Sequence, residues 1–245
     1  MQKVNLLIPM AGLGSRFKDH GYEMPKPLIE IDGKPMIQWV IDNFNKKYIS
    51  NYIFICRSEH EEQYNIKKIL NEITEGKAIV YFVDKLTEGA ACTTLIAEKS
   101  FNFDSPLLIA NSDQYVDWNF DDFINFCYNG FDGAILTFPS SHPKWSYAKT
   151  DENDLVTEVA EKKPISSNAT VGIYYWLKGS DYVKYAKQMI ANNTRTNNEF
   201  YVCPVYNEAI LDNKKIKIFN IEEKNMWGLG TPEDLNHFIR NYGAI

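Results

Sequence analysis

The stretch Leu6-Leu7-Ile8-Pro9-Met10-Ala11-Gly12-Leu13-Gly14-Ser15-Arg16-Phe17 constrains the fold of this 245-residue chain more than any other. An apolar run without polar alternation reads as a strand buried on both faces, the kind found in parallel sheets covered by helices. The run breaks into Gly12 and Gly14, with Arg16 beside them and Lys26 ten residues further on in Pro25-Lys26-Pro27-Leu28. Without Cβ atoms at the two glycines, backbone N–H groups can turn inward and approach an anion closely. Arg16 adds a planar fork and Lys26 a compact point charge, two ways of holding phosphate oxygens. Such a strand end suits a polyphosphate, and hence chemistry on a nucleoside triphosphate. Two better-known glycine loops do not fit: Phe17 stands where the dinucleotide fingerprint needs its third glycine, and the Gly-Lys-Ser/Thr of a P-loop is absent.

Strands and helices alternate after this start. The pattern predicts strands at Val4–Met10, Tyr52–Cys56 and Ala78–Val83, and a helix over Met36–Asn45 opened by Pro35. Ser58-Glu59-His60-Glu61 has capping-box spacing and predicts a polar helix to about Glu72, and Ala90–Lys99 predicts another. Pro106–Asn111 reads as a central parallel strand, and Gly133–Phe138 repeats the type. After Phe138 the pattern changes to strands joined by turns at Trp145–Thr150, Leu155–Glu161 and Ala169–Trp176. Helices follow at Ser180–Asn192 and Tyr201–Leu211, and Thr231-Pro232-Glu233-Asp234 caps a terminal one. The expected class is α/β: a Rossmann-like, doubly wound mixed sheet with a partly antiparallel substrate lid in its second half. Residues 1–245 are expected to form one domain, with 1–138 as nucleotide-binding core and 139–245 as acceptor-binding half, sharing a cleft at the carboxyl ends of the strands.

Composition narrows the partners. The formal charge of −6 comes from 26 basic and 32 acidic residues with no long run of either sign, which leaves no electrostatic footprint for nucleic acid. The four cysteines lack Cys-x-x-Cys spacing, so they predict neither a zinc site nor a disulfide framework but free thiols in a reducing compartment. No apolar run approaches the ~18 residues that span a bilayer, and no signal-type stretch opens the chain. The expectation is a cytoplasmic protein without membrane or nucleic-acid partners.

Leu107-Leu108-Ile109-Ala110-Asn111-Ser112-Asp113-Gln114 places a carboxylate where a central strand ends, the usual ligand crevice of an open α/β sheet. Asp113 is therefore a candidate Mg2+ ligand, since magnesium takes hard oxygens from one or two carboxylates plus substrate phosphates. A turn aspartate would carry the same letters.

Ala11-Gly12-Leu13-Gly14-Ser15-Arg16, Pro25-Lys26-Pro27-Leu28 and Gly33-Lys34-Pro35-Met36 together resemble the signature of the sugar-phosphate nucleotidyltransferases, the nucleotide-sugar pyrophosphorylases. The resemblance implies transfer of a nucleotidyl group from a triphosphate to a phosphorylated acceptor, most simply a sugar 1-phosphate, with magnesium and release of pyrophosphate. The product would be a nucleotide sugar of the kind used as a capsule or surface-polysaccharide precursor. It implies that Arg16 sits with the leaving pyrophosphate and Lys26 near the α-phosphate, with Ala11, Gly12, Gly14 and Ser15 in the nucleotide loop. Leu86-Thr87-Glu88-Gly89-Ala90-Ala91 resembles the base-binding loop, which assigns Gly89 to the nucleotide, although Asp84 and Lys85 stand where many relatives carry a base-reading glutamine. Glu161-Lys162-Lys163-Pro164 resembles the Glu-Lys-Pro element, in which the acid binds sugar hydroxyls and the lysine the sugar phosphate. Gly172 matches a glycine-containing strand beneath the sugar, and Tyr147 and Glu199 fall near acceptor-contacting positions. One departure stands out. Many relatives carry Trp-x-Asp-x-Gly-Thr with a second metal-binding aspartate, whereas here the segment is Met226-Trp227-Gly228-Leu229-Gly230-Thr231, leaving Glu222, Glu223 or Asn225 as substitutes.

Other readings stay open at this level: a cytidylyltransferase for a small phosphate such as phosphocholine, with Trp118, Trp145, Tyr175 and Trp176 available for an aromatic box, or a catalytically silent nucleotide-sugar sensor. A homo-oligomer is compatible with all of them. A glycosyltransferase is disfavoured because Asp113 is followed by Gln114 and Tyr115 instead of completing Asp-x-Asp.

Overall fold

A computed structural model of the chain describes residues 2–242. The apolar run becomes β1 (Val4–Pro9), which hands over to the glycine loop and the short helix α1 (Ser15–Asp19). A one-turn helix at Lys26–Leu28 follows, then a small ribbon of β2 (Glu30–Ile31) and β3 (Lys34–Pro35), and α2 (Met36–Asp42) opened by Pro35. Next come β4 (Ile49–Arg57), α3 (Ser58–Tyr64), α4 (Ile66–Ile73), β5 (Ala78–Val83) and α5 (Ala90–Leu95). The chain then returns through β6 (Leu107–Ala110), β7 (Gln114–Val116), α6 (Phe120–Cys127) and β8 (Gly133–Pro139). The second half supplies β9 (Ser146–Thr150), β10 (Val156–Glu161), β11 (Asn168–Trp176), α7 (Gly179–Ala191), α8 (Val205–Leu211), β12 (Ile216–Asn220), β13 (Met226–Gly228) and α9 (Pro232–Asn241).

Nine of these strands make one mixed sheet. Its main path runs β10-β9-β11-β6-β1-β4-β5, with β8 on β11 and β12 on β8. The neighbours β6-β1-β4-β5 are parallel, and β11 runs antiparallel to β6, β8 and β9. Alternate side chains feed two cores, as a strand's two-residue period requires. Leu6, Ile8, Leu108 and Ala110 pack with Ile37 and Val40 of α2, Leu70 of α4 and Phe123 of α6 on one face. Leu7, Leu107 and Ile109 pack with Ala91 of α5, Tyr182 and Ala186 of α7, and Tyr206 of α8 on the other. A third cluster joins Phe17, Met36 and Trp39 to Trp227, Leu235 and Phe238, tying α9 to the side of the glycine loop. Among the described residues no helix is long and apolar enough to cross a membrane.

The doubly wound mixed sheet matches the expectation, and several details depart from it. The second-half strands do not form a separate lid: β9, β10 and β11 extend the central sheet itself. Pro106–Asn111, read as a central parallel strand, is buried throughout β6 as expected, but it is parallel to β1 and antiparallel to β11. The capping box at Ser58 does not form. The Ser58 hydroxyl bonds Asp84 Oδ1, and Glu61 accepts instead from Lys67 N at 2.8 Å. The expected single helix to Glu72 is two, divided at Asn65, whose φ of 51° is left-handed and tolerated by asparagine. The helix expected over Tyr201–Leu211 begins only at Val205, after Pro204. The terminal cap forms as read: Thr231 accepts from Asp234 N at 3.1 Å.

Candidate active site

Two chambers open at the carboxyl ends of β1 and β6 and share Asn111 and Asp113, which follow β6 directly. One, of about 320 Å³, is bordered by the glycine loop (Ala11, Gly12, Gly14), by Lys26, and by the segment Leu86, Thr87 and Gly89. The other, of about 380 Å³, is bordered by Arg16, Gln114, Glu161, Lys162 and Asp234, among others. Together they form one bilobed cleft.

The glycine loop is shaped for close approach. Gly14 has a left-handed φ of 61°, and a Cβ there would stand 3.3 Å from the Lys26 Cβ, so the loop and the Pro-Lys-Pro segment lie against each other. Lys26 Nζ reaches across to Asp113 Oδ2 at 2.6 Å, with both side chains about one-quarter exposed or less. The cation and the carboxylate singled out from distant parts of the sequence are thus an ion pair at the centre of the cleft. Asp113 is clasped from behind: its carbonyl accepts from Leu229 N at 2.8 Å, and a Cβ at Gly230 would lie 2.8 Å from its carboxylate.

The acceptor-side floor depends on Gly172. Here β11 shifts register, between Thr170 and Tyr174, and one of its edges passes from pairing with β6 to pairing with β9. Gly172 has φ 91°, and a Cβ on it would lie 2.3 Å from Asn111 Nδ2 and 2.4 Å from Gln114 Oε1. The missing side chain leaves room for two carboxamides that border the chamber, an example of a bulge re-aiming side chains beside a site. Gln114 Oε1 is buried without a hydrogen-bond partner among the described residues. Glu161 ends β10 and accepts from Ser146 Oγ. Burial raises its pKa above the ordinary carboxylate range, against the opposing pull of Ser146 and Lys162. Lys162, just beyond, donates to Tyr201 Oη at 2.8 Å.

The remaining sequence-predicted residues fall as follows. Arg16 borders the chamber of Glu161 and Lys162 and not the glycine-loop lobe, where a place beside the leaving pyrophosphate was expected, and Ser15 begins α1 without bordering either lobe. Glu199 borders the nucleotide-side lobe beside Tyr201, away from the chamber of Glu161 and Lys162 where an acceptor contact was expected. Tyr147 is corrected outright: it is fully buried, and its hydroxyl donates to the His142 carbonyl at 2.7 Å. An aromatic on the inward face of β9 is core, and the sequence alone could not distinguish the two uses. Gly89 borders its lobe, but its lack of a side chain answers a different demand. A Cβ there would be 2.4 Å from the Phe200 carbonyl oxygen, so the glycine admits another part of this same chain.

Glu222, Glu223 and Asn225, read as substitute ligands for position 228, border neither lobe, and Glu222 pairs with Lys224. A carboxylate nevertheless reaches Gly228 from elsewhere. Asp234, in the first turn of α9, lies 3.4 Å from where a Cβ at 228 would be and pairs with Lys144 Nζ at 3.0 Å. Sequence reading used Asp234 only as part of a helix cap, because nothing local shows that this turn faces the cleft. Asn111, Gln114 and Tyr201 were missed for a similar reason: each stands beside a recognised residue with no motif of its own. Among the described residues no group of three or more His, Cys, Asp or Glu gathers as a preformed cation cage. The donor set at the cleft, carboxylate oxygens with room for phosphates, fits the sparse protein ligation of magnesium.

Comparison with known proteins identifies the family. The family model described as nucleotidyl transferase matches residues 6–243. The bifunctional protein GlmU of Oenococcus oeni is 27% identical over 218 residues, 82% of this chain and 45% of that protein. A mannose-1-phosphate guanyltransferase of Aspergillus oryzae is 26% identical over 149 residues, 56% of this chain and 38% of that one. The chain spans less than half the length of these curated relatives. In fold it is similar to a nucleoside-diphosphate-sugar pyrophosphorylase from Vibrio cholerae RC9, with a TM-score of 0.85 at 24% identity, covering 96% of this chain and 100% of that one. With the glycine loop, Lys26, Asp113 and the sheet that gathers them inside the matched region, the chain belongs to the nucleotidyl transferase family.

Proposed function

We propose that the protein transfers a nucleoside monophosphate group from a nucleoside triphosphate to a sugar 1-phosphate, yielding a nucleoside diphosphate sugar and pyrophosphate. The observation that carries this reading is the pairing of two unlike lobes about Lys26 and Asp113. One has a glycine loop and the Lys26 ammonium, suited to a polyphosphate. The other combines Asn111, Gln114 and Glu161 with Lys162 and Arg16, hydrogen-bonding groups suited to hydroxyls beside cations suited to a phosphate.

The attacking phosphate oxygen is already anionic at neutral pH, so the barrier is repulsion and alignment, and positioned cations are the appropriate catalysts. Lys26 neutralises the α-phosphate as charge shifts and the glycine-loop amides hold phosphate oxygens of the triphosphate, while Arg16 faces the acceptor-side lobe and adds positive charge there. Lys162 holds the acceptor phosphate, and Glu161 accepts hydroxyl hydrogen bonds. Magnesium, held by Asp113 together with substrate phosphates, would neutralise and orient the triphosphate.

A choline-type acceptor has less support. Trp176 and Tyr175 are buried in the sheet, Trp118 packs on Phe120 and Phe123, and Trp145, which borders the chamber, is covered by Lys144 with Nζ 4.5 Å from the ring.

The test is pyrophosphate release with magnesium, crossing CTP, UTP, dTTP, GTP and ATP against sugar 1-phosphates and small phospho-alcohols. We expect one triphosphate and sugar phosphate pair to give acceptor-dependent release, and Lys26→Ala to lower it about hundredfold or more with an unchanged circular dichroism spectrum. Release that depends on a phospho-alcohol but on no sugar phosphate would replace the acceptor. Unaltered turnover in Lys26→Ala would remove that lysine from the mechanism.

A further inference from the structure

In the segment Glu199-Phe200-Tyr201, Glu199 and Tyr201 both border the glycine-loop lobe, and Tyr201 meets Lys162 of the other lobe. The segment's backbone is bonded to the loop around Gly89: Phe200 N donates to Glu88 O at 2.8 Å, and Ala91 N donates to Phe200 O at 2.9 Å. Arg195 lies over the Phe200 ring at 4.0 Å and pairs with Glu88, closing the junction from outside. The side chain of Tyr201 reaches the acceptor side. Its hydroxyl accepts from Lys162 Nζ at 2.8 Å, and the same ammonium lies 4.8 Å from the centre of its ring.

The direction of the bond to Lys162 is fixed by proton count. Burial first, and the neighbouring Glu199 carboxylate second, hold the Tyr201 phenol well above its ordinary pKa, so it keeps its proton. An ammonium can only donate, so the phenol oxygen receives Lys162 through a lone pair. Lys162 needs such a hold. Its φ of 54° is left-handed, a conformation that non-glycine residues keep only where the surroundings impose it, and its backbone N–H is pinned to Trp145 O at 3.0 Å. The backbone is therefore fixed, while the long side chain keeps rotamer freedom unless something receives its end.

We propose that Tyr201 is a positioning residue that holds Lys162 for the acceptor phosphate and, through Phe200, couples that hold to the loop around Gly89, so that triphosphate and acceptor reinforce each other's binding. This rests on the acceptor role given to Lys162 above. Ordering the Gly89 loop around a nucleotide fixes the Phe200 pairing, and with it the phenol on which the lysine rests. The favourable coupling must be reciprocal.

The experiment measures pyrophosphate release with the pair found active in the wild type, in Tyr201→Phe, Lys162→Met, their double variant and Arg195→Ala. Tyr201→Phe keeps the ring and removes only the hydroxyl. It is expected to raise the acceptor KM about tenfold and, because the coupling is reciprocal, to raise the triphosphate KM measured at saturating acceptor as well, while kcat stays within about twofold. In the Lys162→Met background the same change should add nothing, because the tyrosine acts through the lysine. In the wild type the acceptor KM should fall as triphosphate rises to saturation, and in Tyr201→Phe it should not. An unchanged acceptor KM in Tyr201→Phe, or a tenfold effect that persists without Lys162, overturns the proposal and leaves the function standing. Absence of acceptor-dependent release in the wild type overturns both. Should Tyr201→Phe fail to fold, Arg195→Ala, which opens the junction of Phe200 with the Gly89 loop, decides: loss of the fall in acceptor KM with rising triphosphate supports the coupling, and an unchanged fall refutes it.

Discussion

Glu161 shows how a functional residue detracts from the stability of the fold that holds it. Burial is the largest influence on its carboxyl and raises the pKa in the folded state. Between the ordinary carboxylate range near 4.3 and that raised value, the folded chain binds more protons than the unfolded one, so this contribution to stability is lost as pH rises through the window. Glu161→Gln is accordingly expected to raise the thermal midpoint at pH 7 by about 2–4 °C, with the difference closing as pH falls toward 4, in scanning calorimetry. A midpoint gap independent of pH would show that ionisation of Glu161 is not its source. Gly172 makes the opposite point. Gly172→Ala adds a single carbon where Asn111 and Gln114 now stand, and at φ 91° it strains the backbone as well. We expect at least a tenfold rise in acceptor KM with a smaller change in triphosphate KM, checked by steady-state kinetics. At this scale the sequence was legible where chemistry leaves a local mark. Lys26 and Asp113 stood out through flanking prolines and a strand end, and they meet at 2.6 Å. Tyr147 misled because a buried aromatic and a ligand-contacting one share the same letters.

Elements that position the site are held by polar bonds without a periodic signature. Asn43 lies just past α2 and is almost fully buried. Its Nδ2 donates to Gln114 O at 2.9 Å, its Oδ1 accepts from Val116 N at 2.7 Å, and its own carbonyl accepts from the Trp118 indole at 3.0 Å. One side chain thereby fixes β7, the short strand that begins immediately after Asp113. Asn43→Ala leaves a buried donor and acceptor of β7 unpaired and is expected to cost about 2–3 kcal/mol, measurable by urea unfolding. A loss below about 0.5 kcal/mol would mean that water or neighbouring groups replace those bonds. The long apolar strands were legible because their periodicity is strong. Three-residue strands such as β7 and β13 were not, since each is defined by its partner: Trp227 faces Tyr115 and Gly228 faces Gln114 across the molecule. The break between α3 and α4 at Asn65 escaped for a similar reason, as one left-handed residue does not disturb the apolar spacing on either side.

Across the whole molecule, β11 joins the two halves of the chain. Its edges pair with β6 and β8 from the first half of the chain and with β9 from the second, so neither half completes the sheet alone. Thermal unfolding should therefore be one cooperative transition, with calorimetric and van't Hoff enthalpies in agreement, and fragments cut after residue 138 should not fold separately. Two resolved transitions would assign the second half its own core. The doubly wound layout was readable because alternating helices and buried strands admit few arrangements. The merging of the expected lid into the same sheet was not, since pairing between β6 and β11 joins residues more than sixty positions apart. The pressure of Phe200 on Gly89 has a practical corollary for anyone redesigning substrate preference. Changes at residue 89 would displace the Phe200 segment before they touched any ligand of that lobe, so altered selectivity should be sought at the exposed Leu86, which borders the same lobe, and not at Thr87, whose hydroxyl holds the Gly89 carbonyl.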